Sequence, residues 1–366
     1  MFDKRLLENI DWWLLGVVLV IAAIGVINLR SASAGFHPTL YRTQLGWVGL
    51  GLAVSLIVAA IDYRTLMRGA PALFLVATGL LVVVLLFGRA VMGARRWIDL
   101  GIFRMQPSEL VKIAVVALLA RHFHDDIHPR PYTFRELILP LLIVAVPAAL
   151  ILPQPDLGTA GLLVLIGGSL LLFIHIDWRL LLILAAVGIG FVVIAWFFGL
   201  EDYQRQRISN FVEPTRDVLG SGYHARQSII AIGSGGLVGK GYHAGSQSQL
   251  AFLPEQHTDF IFSVFAEEWG FVGSGLLVLL YAVLLFRGIA IAVNSKEKLG
   301  TLLAVGITLM IGWHVFVNMA MVLGLLPVVG VPLPLVSYGG SGMLSTFVGV
   351  GLLMNVAMRR FIFSSP

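Results

Sequence analysis

Trp12-Trp13-Leu14-Leu15-Gly16-Val17-Val18-Leu19-Val20-Ile21-Ala22-Ala23-Ile24-Gly25-Val26-Ile27-Asn28-Leu29 is a run of 18 residues without a charge. Coiled as a helix it rises about 27 Å, close to the roughly 30 Å of hydrocarbon in a bilayer. Lys4 and Arg5 precede it and Ala32-Ser33-Ala34 follows it, which gives it the outline of a secretory signal. Asp3, Glu8 and Asp11 put acid into what would be the basic lead, and the rest of the chain carries similar apolar runs. It is therefore expected to remain as a first membrane span.

The composition agrees with that reading. Of 366 residues, 58% are hydrophobic and 12% charged, about half the charged share of an ordinary soluble domain. The mean hydropathy is +0.91. Forty glycines suit helices packed in lipid, where small residues let backbones approach closely. The absence of cysteine excludes a disulfide framework, thiol redox chemistry and thiolate metal sites. A net charge of +5 could suggest nucleic acid, but the basic residues flank apolar runs and form no continuous patch, so no nucleic-acid partner is expected.

Ten spans are predicted: Trp12 to Leu29, Thr43 to Ile61, Pro71 to Met92, Pro107 to Phe123, Glu136 to Leu152, Asp156 to Ile174, Trp178 to Gly199, Asp259 to Val293, Leu299 to Leu326 and Gly340 to Met358. The expected fold is an all-α polytopic membrane protein with a large extracytoplasmic loop, Leu200 to Thr258, between the seventh and eighth spans. If the chain alternates, Lys4, Arg5, Arg64, Arg68, Arg121, Arg130, Arg135, Arg179, Arg287, Lys296, Lys298, Arg359 and Arg360 fall on one side. That side is expected to be cytoplasmic, with both termini.

Polar residues collect on the other side. Arg89, Arg95, Arg96 and Arg104 lie in an external loop against the charge bias. A guanidinium pair such as Arg95 and Arg96 suits a pyrophosphate; snorkelling to anionic lipid is the alternative. The fourth span opens Gln106-Pro107-Ser108-Glu109 and continues to Lys112. Glu109 and Lys112 are three apart and can meet on one helical face, as a functional pair or as a satisfied internal salt bridge. Gln154-Pro155-Asp156-Leu157-Gly158-Thr159 repeats the pattern of Gln-Pro followed by an acid, where Asp156 could simply cap the helix.

The eighth span begins Leu253-Pro254-Glu255-Gln256-His257-Thr258-Asp259-Phe260 and carries Glu267 and Glu268 deeper. At the outer boundary Asp259 could take a proton from a sugar hydroxyl; a helix cap is the alternative. Glu267 and Glu268 suit packing or a proton relay. Leu333-Pro334-Leu335-Val336-Ser337-Tyr338-Gly339-Gly340-Ser341-Gly342 is a glycine-rich turn at membrane depth, tolerated where it is buried or lines a cavity. The fourth, sixth, eighth and tenth spans all start on this side, so their positive dipole ends converge there. Gly233-Ser234-Gly235-Gly236-Leu237-Val238-Gly239-Lys240-Gly241 imitates a phosphate-binding loop, but Ser234 stands where that spacing needs its first glycine and Gly241 where it needs Ser or Thr. No nucleotide is expected. Tyr223 to Leu237 reads instead as a short interfacial helix with Ile229, Ile230 and Ile232 on its apolar side.

Taken in order, Gly93-Ala94-Arg95-Arg96-Trp97, Gln106 to Lys112, Gln154 to Thr159, His257-Thr258-Asp259-Phe260-Ile261 with Ala266-Glu267-Glu268, and Pro334 to Ser341 resemble the successive motifs of the SEDS family. The match spans nearly the whole chain, and its wording and short termini are similar to the elongation branch rather than the division branch. The resemblance implies one transmembrane domain over residues 1–366. It implies a peptidoglycan glycosyltransferase that joins lipid II at the outer face of a bacterial inner membrane, with undecaprenyl pyrophosphate as leaving group. Asp259 is then the expected catalytic residue and Glu109 with Lys112 the supporting pair. Arg95 and Arg96 would bind the pyrophosphate, and Gln154, Asp156, His257, Thr258, Glu267, Ser337 and Ser341 would line the site. A divalent cation, Mg or Mn, would suit the pyrophosphate, though no metal-ligand spacing is visible. A class B penicillin-binding transpeptidase is the implied partner. A lipid II flippase and a non-catalytic scaffold are the other readings of the same features.

Overall fold

The computed structural model describes residues 9–35, 37–91, 94–99, 101, 104–126, 131–199, 201–212, 221–250, 252–253 and 255–360. Asp3, Lys4, Arg5, Glu8, Gly93, Arg130 and Pro254, named above, lie outside the described residues, as do Met92, the expected end of the third span, and Leu200, the expected start of the large loop.

Every apolar run becomes a helix, and the ends are set by local chemistry. Helix α1 (Trp12–Ala32) starts where Asp11 accepts a hydrogen bond from the Leu14 amide at 3.1 Å. α2 (Leu40–Ala60) is followed by the short α3 (Tyr63–Arg68), capped by Asp62 on the Arg64 amide, and by α4 (Ala70–Phe87). α5 (Pro107–Asp125) has proline in its first turn, where a missing N–H costs nothing. α6 (Phe134–Ile151) opens with a reciprocal Thr133–Glu136 capping box, and in α7 (Leu157–Leu171) Asp156 caps the Thr159 amide. α8 (Trp178–Ile194) ends in a wider turn, Ala195–Gly199. Three helices follow in the long segment between α8 and the next span: α9 (Asp202–Val212), α10 (Ser221–Ser234) and α11 (Ser246–Gln249). The last spans are α12 (Ile261–Val293), α13 (Lys298–Val322) and α14 (Gly340–Arg359).

Among the described residues, eight helices are long and apolar enough to cross a membrane, with α7 a shorter apolar helix. α5 is the remaining predicted span, and it carries its own charges. The protein is a multi-pass membrane protein. α13 and α14 are the most enclosed, at 72% and 78% buried. They form the centre of the bundle with α5, and α2 packs along α14.

Two features were not expected. The loop after α4 folds into a small antiparallel sheet, order β1-β2-β3, from β1 (Arg89–Val91), β2 (Ala94–Asp99) and β3 (Arg104–Met105). In its register Trp97 opposes Arg89, and Ile98 opposes Met105. The second is a break in α12. Gly270 sits at φ +65°, so the helix divides into an outer piece ending at Trp269 and a longer span beginning at Phe271.

The phosphate-loop mimic fills this break. The amides of Lys240 and Gly241 donate to the carbonyls of Glu267 and Glu268, at 3.0 Å each. Those of Phe271 and Val272 donate to Gly236 and Leu237, at 2.9 and 3.0 Å. A Cβ on Gly270 would lie 2.3 Å from the Gly239 nitrogen, and one on Gly239 would lie 2.1 Å from the Glu268 oxygen. The glycines are there because two backbones meet without room for a side chain.

Candidate active site

The N-terminal ends of α5 and α7, the turn before α12 and the strap 327–339 before α14 come together. Asp259 precedes α12 instead of opening it. The cap position belongs to Phe260, which offers no side-chain cap, so the helix-cap alternative fails. The carbonyl of Asp259 accepts from Asn318 Nδ2 at 2.9 Å, and the same nitrogen donates to the Val331 carbonyl at 2.7 Å. One buried amide of α13 thus ties the Asp259 turn to the strap. Gly330, at φ +71°, faces the carboxylate: a Cβ there would lie 3.3 Å from Asp259 Oδ2. A side chain there would press against that oxygen.

Further bonds fix the same turn. Ser337 Oγ donates to the Thr258 carbonyl at 2.6 Å and accepts from the Leu333 amide at 2.7 Å. The Tyr338 amide donates to the His257 carbonyl at 2.9 Å. Ser337 and Thr258 therefore shape the site by bonding to backbone. Leu335 is held at φ +67°, a left-handed conformation that non-glycine residues rarely adopt.

Partial burial first, and the negative charges of Glu255 and Asp156 second, push the Asp259 carboxyl up to about 6, against the opposing pull of Arg96 and Arg207. At neutral pH it is mostly ionised and is a stronger base than an ordinary aspartate. Burial pushes the neighbouring His257 down, keeping its imidazole neutral at pH 7 despite Glu255.

The two arginines of β2 separate. Arg95 is exposed, whereas Arg96 is partly buried, as alternate positions on a strand require. Arg96 Nε donates to the Gln154 carbonyl at 2.9 Å, Nη2 donates to the Pro155 carbonyl, and Nη1 stands 3.9 Å from Asp156 Oδ1. Arg96 is thus bound to protein rather than snorkelling to lipid, and the two guanidinium groups do not form a side-by-side clamp. Asp156 also accepts from Gln106 Nε2 at 3.3 Å. Gln154 Nε2 donates to the carbonyls of Leu81 and Leu150, both at 3.2 Å, and holds α7's entry against α4 and α6. Ser341 Oγ accepts from the Gln106 amide and donates to the Arg104 carbonyl, joining the sheet to α14.

Below this surface, Lys112 Nζ donates to Glu109 Oε1 at 2.7 Å, as the spacing of three predicted. It also donates to His314 Nε2 at 2.6 Å, while His314 Nδ1 donates to the Met310 carbonyl at 2.7 Å. That second bond fixes the tautomer, leaving Nε2 as the acceptor. Lys112 is 1% exposed, so the ammonium is held by protein alone. His314, Asn318 and Arg207 were missed in the sequence; an ionisable histidine within an apolar run was signal enough for the first.

Glu267 departs from the expected lining role. Its carboxylate is fully buried and takes Lys240 Nζ at 2.7 Å, Ser246 Oγ at 3.2 Å and the Gln247 amide at 3.0 Å. It secures the glycine loop. Among the described residues, no three His, Asp or Glu side chains converge as a metal-binding group.

Residues 6–361 match the family described as cell cycle protein, FtsW/RodA/SpoVE. The chain is 43% identical over 356 residues to the peptidoglycan glycosyltransferase MrdB of Escherichia coli K12, covering 97% of this chain and 95% of that protein. Among solved structures it resembles a chain from a study of how a peptidoglycan synthase complex coordinates polymerization and crosslinking, with TM-score 0.83, 34% identity and coverage of 97% and 99%. It also resembles the rod shape determining protein RodA of Thermus thermophilus, with TM-score 0.72, 32% identity and coverage of 96% and 98%. A match over nearly the full length, in sequence and in fold, has one meaning: the chain belongs to the SEDS family of FtsW, RodA and SpoVE.

Proposed function

We propose that this protein is a peptidoglycan glycosyltransferase that polymerises lipid II on the outer face of a bacterial inner membrane. The observation that carries the reading is Asp259, an acid whose carboxylate faces Gly330, in a turn held by Asn318 and Ser337 at the meeting point of four helix or strap ends. The fit to a base is chemical as well as geometric, because a carboxyl titrating near 6 accepts a proton better than one near 4.

In the reaction, Asp259 removes the proton from the GlcNAc 4-hydroxyl of the acceptor lipid II. That oxygen forms a bond to the donor's anomeric carbon, and the bond from this carbon to the pyrophosphate oxygen breaks. Undecaprenyl pyrophosphate leaves with the electron pair. The outward-facing starts of α5, α7 and α14 and the guanidinium groups of Arg95, Arg96 and Arg207 offer positive potential to the departing charge. Arg95 is free to swing to a pyrophosphate, whereas Arg96 acts as a fixed charge. A divalent cation, Mg or Mn, would supply further positive charge to the pyrophosphate; among the described residues no three His, Asp or Glu side chains gather to hold it. Glu109, Lys112 and His314 hold α5 to α13 and so keep the site's floor in register.

The side that gathers Arg64, Arg68, Arg121, Arg135, Arg179, Arg287, Lys296, Lys298, Arg359 and Arg360 is cytoplasmic, and both termini lie there. A class B penicillin-binding transpeptidase would crosslink the strands this protein makes, in keeping with the polymerization and crosslinking complex that its fold resembles. The test is polymerisation of lipid II by the purified protein with no other glycosyltransferase present. Glycan strands from the wild type and none from Asp259→Asn support the reading. Transbilayer movement of lipid II without any polymer would make the protein a flippase instead.

A further inference from the structure

On the face opposite Asp259, the ends of α3 and α5 and the turn between α12 and α13 line a half-open cavity of about 440 Å³. Its charged lining is Arg64, Arg68, Arg121, His124, Asp125 and Glu297. Both carboxylates are already engaged. Glu297 takes the Arg64 guanidinium in a two-point contact, with Nε at 2.9 Å, and also accepts from Tyr63 Oη at 2.8 Å. Asp125 pairs with Arg121 Nε at 3.4 Å. Arg121 is further held by the carbonyls of Met67 and Arg68, so its guanidinium is fixed at the cavity wall.

What is left over is cationic. Among the described residues, the side chains of Arg68 and His124 make no hydrogen bond or close ion pair, His124 acting on Glu297 through charge alone, and both line the cavity. Three guanidinium groups and an imidazole thus surround a space of ligand size in which the acids are spent. A guanidinium with free donors is built for phosphate oxygens, which it meets with paired N–H groups. Met67 and Leu299, both buried, give the cavity an apolar wall beside those donors. Basic pockets between spans on the positively charged side of a membrane protein are where acidic headgroups are recognised.

We propose that this cavity binds a phosphate-bearing anion, supplied as the headgroup of an acidic phospholipid or as free phosphate, with Arg68 and His124 as the groups that engage it. Its assignment to the cytoplasmic leaflet rests on the orientation proposed above; the binding does not. Arg64 and Arg121, already anchored, supply field and shape. The cavity lies across the membrane from the Asp259 site and takes no part in the transfer reaction.

Thermal unfolding of the full-length protein in detergent, titrated with phosphatidylglycerol, phosphatidylcholine or inorganic phosphate, tests this. Phosphatidylglycerol should raise the unfolding temperature saturably and phosphatidylcholine should not. In the double variant Arg68→Gln/His124→Gln the titration midpoint should move roughly tenfold or more to higher lipid. Lys296→Gln, an exposed charge outside the cavity, should titrate as wild type. Stabilisation by inorganic phosphate, lost in the double variant, identifies free phosphate as a sufficient source; stabilisation by phosphatidylglycerol alone identifies a lipid headgroup. Equal midpoints for wild type and double variant overturn the proposal, as does phosphatidylcholine acting as well as phosphatidylglycerol. If the double variant does not fold, His124→Gln alone carries the same comparison at smaller amplitude. Polymerisation of lipid II by the same preparation reads the catalytic assignment separately, so either can fail without the other.

Discussion

At the scale of single residues, Asp259 carries two opposed demands. Burial raises its carboxyl to about 6, so the folded protein binds that proton more tightly than the unfolded chain does. The stability this contributes is present below the ordinary carboxylate value and is lost as pH rises through 6. Asp259→Asn should therefore unfold at a higher temperature than wild type at pH 7.5, by on the order of 1 to 2 kcal/mol, with the gap closing near pH 4. The same variant should make no polymer. Wild-type kcat/KM should fall as pH drops through about 6, as the base becomes protonated. A stability difference that ignores pH would show that the carboxyl is not the buried acid described here. A second residue-scale test concerns Lys112. Replacing it by Met leaves Glu109 charged in the bundle and should cost about 3 to 5 kcal/mol, whereas adding Glu109→Gln should restore much of that loss. Additive losses would mean the two side chains act independently. Sequence exposed this pair because three residues is a helical spacing. It hid His314, which reaches Lys112 from another helix, and Asn318, which joins two carbonyls, at Asp259 and Val331, that belong to separate segments.

At the scale of elements, the hydrophobic runs were legible because a membrane span is a matter of length and charge, and ends such as Gln106-Pro107 and Asp156 carry ordinary helix-start chemistry. The small sheet was not legible, since strands of three, six and two residues have too few positions to show alternation. The glycine loop was legible only as a turn. Its role depends on Gly270, a residue that reads in sequence as one more glycine in an apolar helix. Gly270→Ala forces a Cβ onto the Gly239 nitrogen and puts an alanine at positive φ. It should destabilise the protein by on the order of 2 to 3 kcal/mol. Glu267→Gln should loosen the loop while leaving the helix intact, because the carboxylate binds Lys240, Ser246 and Gln247. Limited proteolysis within 240–250 should then quicken, with little change in melting temperature. Unchanged cleavage would remove Glu267 from this role.

At the scale of the whole molecule, the charge asymmetry predicts an orientation that the cysteine-free chain makes easy to measure. Gln249 and Lys296 are exposed at opposite ends of the bundle. In intact spheroplasts, Gln249→Cys should react with a membrane-impermeant maleimide and Lys296→Cys should react only after permeabilisation. The reverse pattern would invert the proposed topology and separate the active site from an extracytoplasmic substrate. The division of α12 at Gly270 has one more consequence. An unbroken helix of 33 residues would be roughly 50 Å long, far more than a bilayer's apolar thickness. Residues 271–293 alone rise roughly 35 Å and can tilt or sink to match the lipid around them. The outer piece, clasped by the glycine loop and the strap, has its height set by protein. Polymerisation should accordingly vary little between short-chain and long-chain phosphatidylcholine bilayers, because hydrophobic mismatch is absorbed below the break and does not reach Asp259.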